Sequence, residues 1–448
     1  MGEAAVIGRP IRSSAEPDSR TGSERRTGAF SPVRPRRGPG SPARRPSPIT
    51  CRAVTIDEAS RDRRFLERWK DLEQAAVEPN PFFAPQFVIP AARHLARGLT
   101  VQLLVAEQDE RLVFLVPLAR VRPLGRRSVS GRGAWVHPYC FLGVPLMRAG
   151  ADLVRVWEEI MRGGRAWRTP WIELPRTGHD GPVASAARIA ADRWSTSVVS
   201  ASVGDRPYVF RRPEPSYMTE WVTSKNRANL ARRRRLLSRG CAEPLLTVDR
   251  AGDDVGSAVE QFLDLESRGW KGRSGTDMLS RPDAAAFFRE VVTAFADDDR
   301  LVFLSLEAGD QVFAQTVALS AGAGLFGFKK AYDEEHARCS PGALLDTDVV
   351  AWFHAAQDLQ WLDTCSDPGA AAGGVFGDRS TVCTLVVPVG RVGRSAVPYL
   401  FPPLFALVER LRSSPLRDRL REWRRALPRW GDRKTVPHTV PEAVAEGS

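Results

Sequence analysis

Lys329, Lys330, Tyr332 and Asp333 stand together in the run LFGFKKAYDEEHARCSPGALL, from Leu325 to Leu345, and Ser340-Pro341-Gly342 follows shortly after. A carboxylate, a phenol and two ammonium groups at one strand end can move protons and stabilise a developing negative charge. Asp333 is the candidate base and Tyr332 the candidate donor to a leaving group. Lys329 and Lys330 are suited to an oxyanion or a phosphate. Asp363, in WLDTC (Trp361–Cys365), is a second candidate base. Ser340 suits a helix N-cap, Pro341 the first helical position, and Gly342 a close backbone approach. Free N–H groups at such a helix start form an anion site. The plainer alternatives are that Asp333 caps a turn, that the lysines are solvated, and that Ser-Pro-Gly only caps a helix. His336 and Cys339 sit three apart in the loop without an orienting third group, so a Cys–His nucleophile is not expected.

The elements that must position these groups are legible as patterns. Leu301 to Ser320 reads as two β-rich runs around Glu307-Ala308-Gly309-Asp310, a hairpin signal. A helix is expected over Ala284 to Phe295, a strand ends at the lysines, a helix opens at Ser340, and WLDTC is the next strand. The same shape occurs earlier. Val101 to Val121 is a hairpin preceded by a helix over Pro85 to Leu95. It is followed by Ala134 to Met147, a helix over Leu153 to Met161 and a strand at Trp171 to Leu174. The chain therefore reads as an internal duplication, with Arg211 to Pro215 as linker.

Two further features invite ligands. The expected helix Lys225 to Arg239 carries one Lys and six Arg with no acid. Arg232 and Arg235 are candidate substrate-binding residues that can hold phosphates bidentately; a solvated basic face is the alternative. A second helix, Val259 to Arg268, is followed by Trp270-Lys271-Gly272. Trp270 and Lys271 suit a sugar or headgroup, against a Trp that closes the core and a Lys that complements a helix C-terminus.

Taken in order, SKNRANLARRRRLLSRG from Ser224, SRGWKGRSGT (Ser267–Thr276), AAFFREV (Ala285–Val291), KKAYDEEHARCSPGALL and LDTCSDP resemble one branch of the GNAT-like acyltransferases. That branch includes CelD-type proteins of cellulose and exopolysaccharide biosynthesis and is related to the Fem-type aminoacyl transferases. The likeness spans Tyr217 to Pro388. One departure is FGDRS at Phe376 to Ser380, where relatives tend to carry Lys or Trp and Arg379 stands instead. The resemblance implies an α/β fold of two tandem GNAT-like units with mixed β-sheets flanked by helices. The units are a degenerate one over 53–209 and an active one over 217–390. It implies direct attack of an amine on the thioester of acetyl-CoA or another acyl-CoA, with Ser340, Pro341 and Gly342 holding the co-substrate. Trp270 and Lys271 would lie near the acceptor, a small-molecule amine that is phosphorylated or sugar-linked. The Fem relationship implies the alternative of aminoacyl-tRNA as donor. A non-catalytic subunit of a polysaccharide-synthesis machine is the third reading.

Composition sets the remaining bounds. The 448 residues carry a net charge of +12. Residues 1–50 hold ten arginines against four acids and lack hydrophobic periodicity, so they are read as a disordered arm. Their only early apolar run, Ala4 to Ile7, is too short for a secretory signal. No apolar run of membrane-spanning length occurs. The six cysteines are dispersed and without Cys-x-x-Cys spacing, so neither a disulfide framework nor a structural metal is expected, and a cytoplasmic setting follows. Residues 391–430 read as a basic helical extension, with Arg417 to Trp430 able to lie on an anionic membrane surface, and 431–448 as a disordered tail.

Overall fold

The computed structural model describes residues 47–121, 131–163, 169–212, 217–239, 242–249, 254–368 and 374–413. Most of the expected arm, the end of the linker, Arg417 to Trp430 and the tail lie outside the described residues. The first half runs β1 (Thr50–Thr55), α1 (Ile56–Arg61), α2 (Arg63–Gln74), α3 (Pro85–Leu95), β2 (Gln102–Gln108), β3 (Arg111–Val121), β4 (Gly131–Ala134), β5 (Leu146–Met147), α4 (Leu153–Arg162), β6 (Trp171–Gly178), α5 (Pro182–Arg193) and β7 (Val199–Phe210). The second half runs α6 (Tyr217–Trp221), α7 (Ser224–Leu237), β8 (Leu245–Asp249), α8 (Val255–Arg268), α9 (Trp270–Arg273), α10 (Pro282–Ala296), β9 (Leu301–Ala308), β10 (Gln311–Ala321) and β11 (Gly324–Tyr332). A 3-10 turn (Glu334–Cys339), α11 (Pro341–Ala355), β12 (Trp361–Asp363), β13 (Asp378–Pro388) and α12 (Gly390–Ser413) complete it.

All strands join one mixed sheet in the order β1-β2-β3-β4-β6-β13-β7-β12-β11-β10-β9-β8, with β5 beside β3. The order reads the same from both ends. Each outer run is antiparallel until a parallel pair, β4 with β6 or β11 with β12, and each then meets an antiparallel final strand. That final strand comes from the other half in both cases. β7 closes the sequence of the first half yet pairs β12, and β13 closes the second yet pairs β6. The two exchanged strands pair with each other. Both hairpins expected from the sequence are present, as β2–β3 and β9–β10.

Amphipathic patterning explains the layers. In α2, Phe65, Trp69 and Leu72 recur at helical spacing and are buried. The Trp69 indole donates to the Phe83 carbonyl at 2.9 Å, so its polar edge is satisfied. One buried cluster runs from the first half under α8 and α10, and a second lies beneath α7 and α11. Phe87 of α3 meets Phe287 of α10 edge-on at 5.3 Å, which ties the halves together. The buried Glu73 carboxylate accepts both Arg300 guanidinium N–H groups across the same seam, an arrangement that satisfies both charges.

Candidate active site

β11 and β12 pair for only three residues, ending at Phe326 with Asp363, and then diverge. Gly327 marks the fork. A Cβ there would stand 2.8 Å from the Thr364 carbonyl oxygen, so the two backbones touch at the vertex. Beyond it, the outer edge of β11 has no strand partner among the described residues. Phe328 is the extra residue of a β-bulge, because Val317 pairs Lys329 while Ala318 pairs Gly327. A bulge re-aims side chains and interrupts the ladder. Its effect here is that Phe328 stacks on Phe288, Lys329 reaches Glu266 on α8, and Lys330 reaches Asp346 on α11, on the opposite face.

A cavity of about 320 Å³ opens in the fork. Its walls are Leu304, Thr316 and Ala318 from the hairpin, Leu325 to Lys330 of β11 except Phe326, Asp346 and Val349 of α11, and Thr364 to Ser366 past β12, with Phe141 from the first half. It is an apolar slot with a basic and hydroxylic rim, the usual character of a ligand site.

The sequence-chosen residues do not all meet there. Lys329 and Lys330 line the cavity. Lys330 donates to the Gly342 carbonyl at 2.8 Å and so fixes the first turn of α11. Pro341 occupies the first helical position. Ser340 does not cap with its side chain. It adopts a left-handed conformation (φ 50°), and its carbonyl accepts from Ala343 and Leu344 instead. The sharp exit from the preceding 3-10 turn takes the conformation that an N-cap would need. A Cβ on Gly342 would meet Lys330 Cε at 3.4 Å, an ordinary contact. Tyr332 and Asp333 stand beyond the cavity. Asp333 caps the 3-10 turn through the Glu335 N–H at 2.9 Å, and its other oxygen meets His336 Nδ1 at 3.0 Å. Asp363 is fully committed: one oxygen accepts from Arg206 of β7, the other from the Cys365 N–H at 2.8 Å. Burial pushes this carboxyl up while Arg206 pulls it down. The pair welds the exchanged strand β7 to β12.

Glu266 was not among the residues chosen from sequence. This buried α8 carboxylate contacts Lys271 at 2.6 Å and Lys329 at 3.2 Å, and accepts the Met278 N–H at 3.0 Å. Burial raises it, but Lys329, Lys271 and the Met278 N–H outweigh burial and hold it below the ordinary glutamate value. Burial pushes Lys329 below the ordinary lysine value, with Glu266 opposing and Lys271 and Arg281 adding to the fall. Lys271 thus serves Glu266 rather than a helix terminus. The Lys329 ammonium also lies 5.1 Å from the centre of the Tyr139 ring, a cation–π contact supplied by the first half. Lys329 and Lys271 stood out in the sequence, but nothing there joined either of them to Glu266, a carboxylate near a helix end.

The basic helix α7 packs Leu230 and Leu237 inward and lies against the 3-10 turn and α11. Arg227 bonds backbone carbonyls and Arg234 grips Asp348 of α11, so both are structural. Arg232 and Arg235 are exposed on the side of α7 away from Leu230 and Leu237. Arg379 donates to the Phe376 and Asp378 carbonyls. Among the described residues, no set of three or more His, Cys, Asp or Glu side chains is placed to hold a metal.

Residues 224–369, about a third of the chain, match the family described as Acetyltransferase (GNAT) domain. No curated protein matches the sequence. Solved structures of similar fold include FemX, at 9% identity over 77% of this chain and 98% of that one, with a TM-score of 0.47. The C-terminal DUF2156 domain of a putative lysylphosphatidylglycerol synthetase from Agrobacterium fabrum is 10% identical over 74% and 94%, with a TM-score of 0.45. A tandem GNAT protein from the clavulanic acid biosynthesis pathway is 12% identical over 77% and 99%, with a TM-score of 0.37. At such identities and scores nothing about substrate passes to this chain. The family match makes the second half a GNAT-type acyltransferase domain, and the protein an enzyme.

Proposed function

We propose that this protein is an acyl-CoA-dependent N-acyltransferase of the CelD-like branch, acting on an amino sugar or another cell-envelope or exopolysaccharide precursor. The observation that carries the reading is the β11–β12 fork, whose open strand edge borders an apolar cavity. The amide-bearing arm of an acyl-CoA can add to such an edge as an extra strand. Its phosphates would then meet the start of α11 at Ser340 to Gly342, with Arg232 and Arg235 alongside. Lys330 acts by positioning that first turn.

The chemistry asks for a held thioester, a free amine and a proton acceptor. Asp333 and Asp363 are occupied by a cap and by an ion pair, so we assign the proton to the neutral form of Lys329, which lines the cavity. In its charged form Lys329 stabilises the oxyanion. Glu266 and Lys271 orient it. The amine attacks the thioester carbon, the C–S bond breaks, the thiolate leaves with CoA, and the ammonium proton passes to Lys329. The acceptor enters by the groove of about 470 Å³ between α3 and α10, lined by His94, Arg97, His137, Tyr139 and Arg281. Tyr139 is the shared wall, since its ring lies under Lys329. Arg97 is paired with Asp283 in the same wall, so Arg281 is the arginine that favours a phosphorylated or carboxylated acceptor.

A thermal-shift screen against acetyl-CoA, longer acyl-CoAs and sugar nucleotides tests this reading. A rise in Tm with an acyl-CoA is expected; no response to any CoA thioester would sink it. One observation favours a second reading. α7 packs on the turn before α11 and exposes Arg232 and Arg235 to solvent, and an aminoacyl-tRNA donor would meet them through its phosphate backbone. Binding of aminoacyl-tRNA without any CoA response would select it.

A further inference from the structure

α12 is apolar on two faces. Val397 and Phe401 turn inward onto Trp171 and Val386. Thr196 Oγ1 donates to the Arg394 carbonyl at 2.9 Å, the group freed by Pro398 one turn later. The helix is therefore anchored to the body by its inner side. Its outer side presents Val392, Tyr399 and Leu400 at 70%, 78% and 61% exposure, three of the four most exposed large apolar residues in the described chain. Val392 and Tyr399 are two turns apart on one face, and Leu400 adjoins them. Isolated exposed apolar residues are ordinary. A helix with an outer apolar stripe opposite a packed inner one has the pattern of a covered helix.

The surroundings of the stripe say what covers it. Arg391 lies beside it and makes no ion pair with any described residue. A cleft of about 620 Å³ at the start of α12 is lined by Arg162, Thr169 and Arg391, with Val392 on its rim. A guanidinium next to an apolar rim matches a phosphate headgroup next to its acyl chains. The chain continues with RDRLREWRRALPRW (Arg417–Trp430), six arginines to two acids with two tryptophans, the composition of an interfacial segment. No helix among the described residues is long and apolar enough to cross a membrane, so the fit is to a helix lying on the surface.

We infer that α12 docks the protein on an anionic phospholipid surface, with Val392, Tyr399 and Leu400 entering the headgroup boundary and Arg391 meeting lipid phosphate. The test is co-sedimentation of the full chain with vesicles of phosphatidylcholine alone or mixed with phosphatidylglycerol. Binding to the mixed vesicles, weakened by salt, is expected. A Tyr399→Ser/Leu400→Ser double variant should lose more than about tenfold in partitioning, and Arg391→Gln about fivefold. Both changes are on the surface, and circular dichroism checks the fold. Unchanged binding in the double variant would overturn the proposal, since the C-terminal arginines alone would then hold the lipid. Absence of vesicle binding would overturn it equally, whether light scattering finds a dimer that the double variant abolishes or a monomer whose own tail covers the stripe.

Discussion

Replacing Glu266 by Gln removes one charge from the centre of the site while leaving an acceptor for the Met278 N–H. In the wild type the carboxylate compensates two ammonium groups, at 2.6 and 3.2 Å. Breaking a buried ion pair costs about 3–5 kcal/mol. Lys271 keeps about a quarter of its side-chain exposure and Lys329 an eighth, so water relieves part of this, leaving about 2–3 kcal/mol. The pH dependence identifies the cause. A carboxyl held below its unfolded value contributes stability that is fully present above that value, about 4.3, and lost as pH falls through the folded value. Urea unfolding followed by tryptophan fluorescence should show the variant well below the wild type near neutral pH. The gap should close as pH falls below about 4. Lys329 should also lose protons more readily in the variant, moving the alkaline-side rise of kcat to lower pH. An unchanged gap at acid pH would refute the ion-pair account, because the loss would then come from shape rather than charge.

Three other outcomes follow from the same geometry. Arg234→Ala should destabilise by about 1–3 kcal/mol through loss of Asp348. Arg232→Ala and Arg235→Ala should leave Tm nearly unchanged and raise the KM for the acyl donor; thermal melts and steady-state kinetics separate the two classes. Asp333→Asn retains a capping oxygen and should leave kcat within about threefold. A fall of about a hundredfold or more would restore Asp333 as the base. A fragment of residues 217–390 lacks β7 and exposes edges of β12 and β13, so it should aggregate when expressed alone, as size-exclusion chromatography would show. A soluble, folded monomer would contradict the strand exchange.

The elements around the site were legible because their signals are local. The β-rich runs of β9 and β10 around their acidic turn, the helix pattern of α10 and the proline at the start of α11 each sit within a few residues. The repeat was legible for the same reason, as one order of local patterns seen twice. What escaped was set by pairing at a distance. Nothing in Val199–Phe210 says that this strand leaves its own half for β12. The Phe328 bulge, which puts Phe328 and Lys329 on one face, arises from the register of β10 against β11 and has no residue signature. Glu266 gains its meaning only when Lys329 arrives from sixty-odd residues later. Asp333 and Asp363 drew notice as carboxylates at strand ends, and structure gives both prior partners. Ser340 was read by residue type, whereas the φ imposed by the 3-10 turn decides its role.

The central claim, that the acyl donor lies in the β11–β12 fork, is tested most directly by calorimetric titration of acetyl-CoA into the wild type and a Thr316→Trp variant. Thr316 is half-buried in the cavity wall, directly across the β10–β11 pair from Lys330, and an indole there fills the slot. Measurable binding to the wild type and a loss of at least about tenfold in a variant of unchanged fold, worth about 1.4 kcal/mol, is the predicted result; equal affinity in both proteins would contradict it.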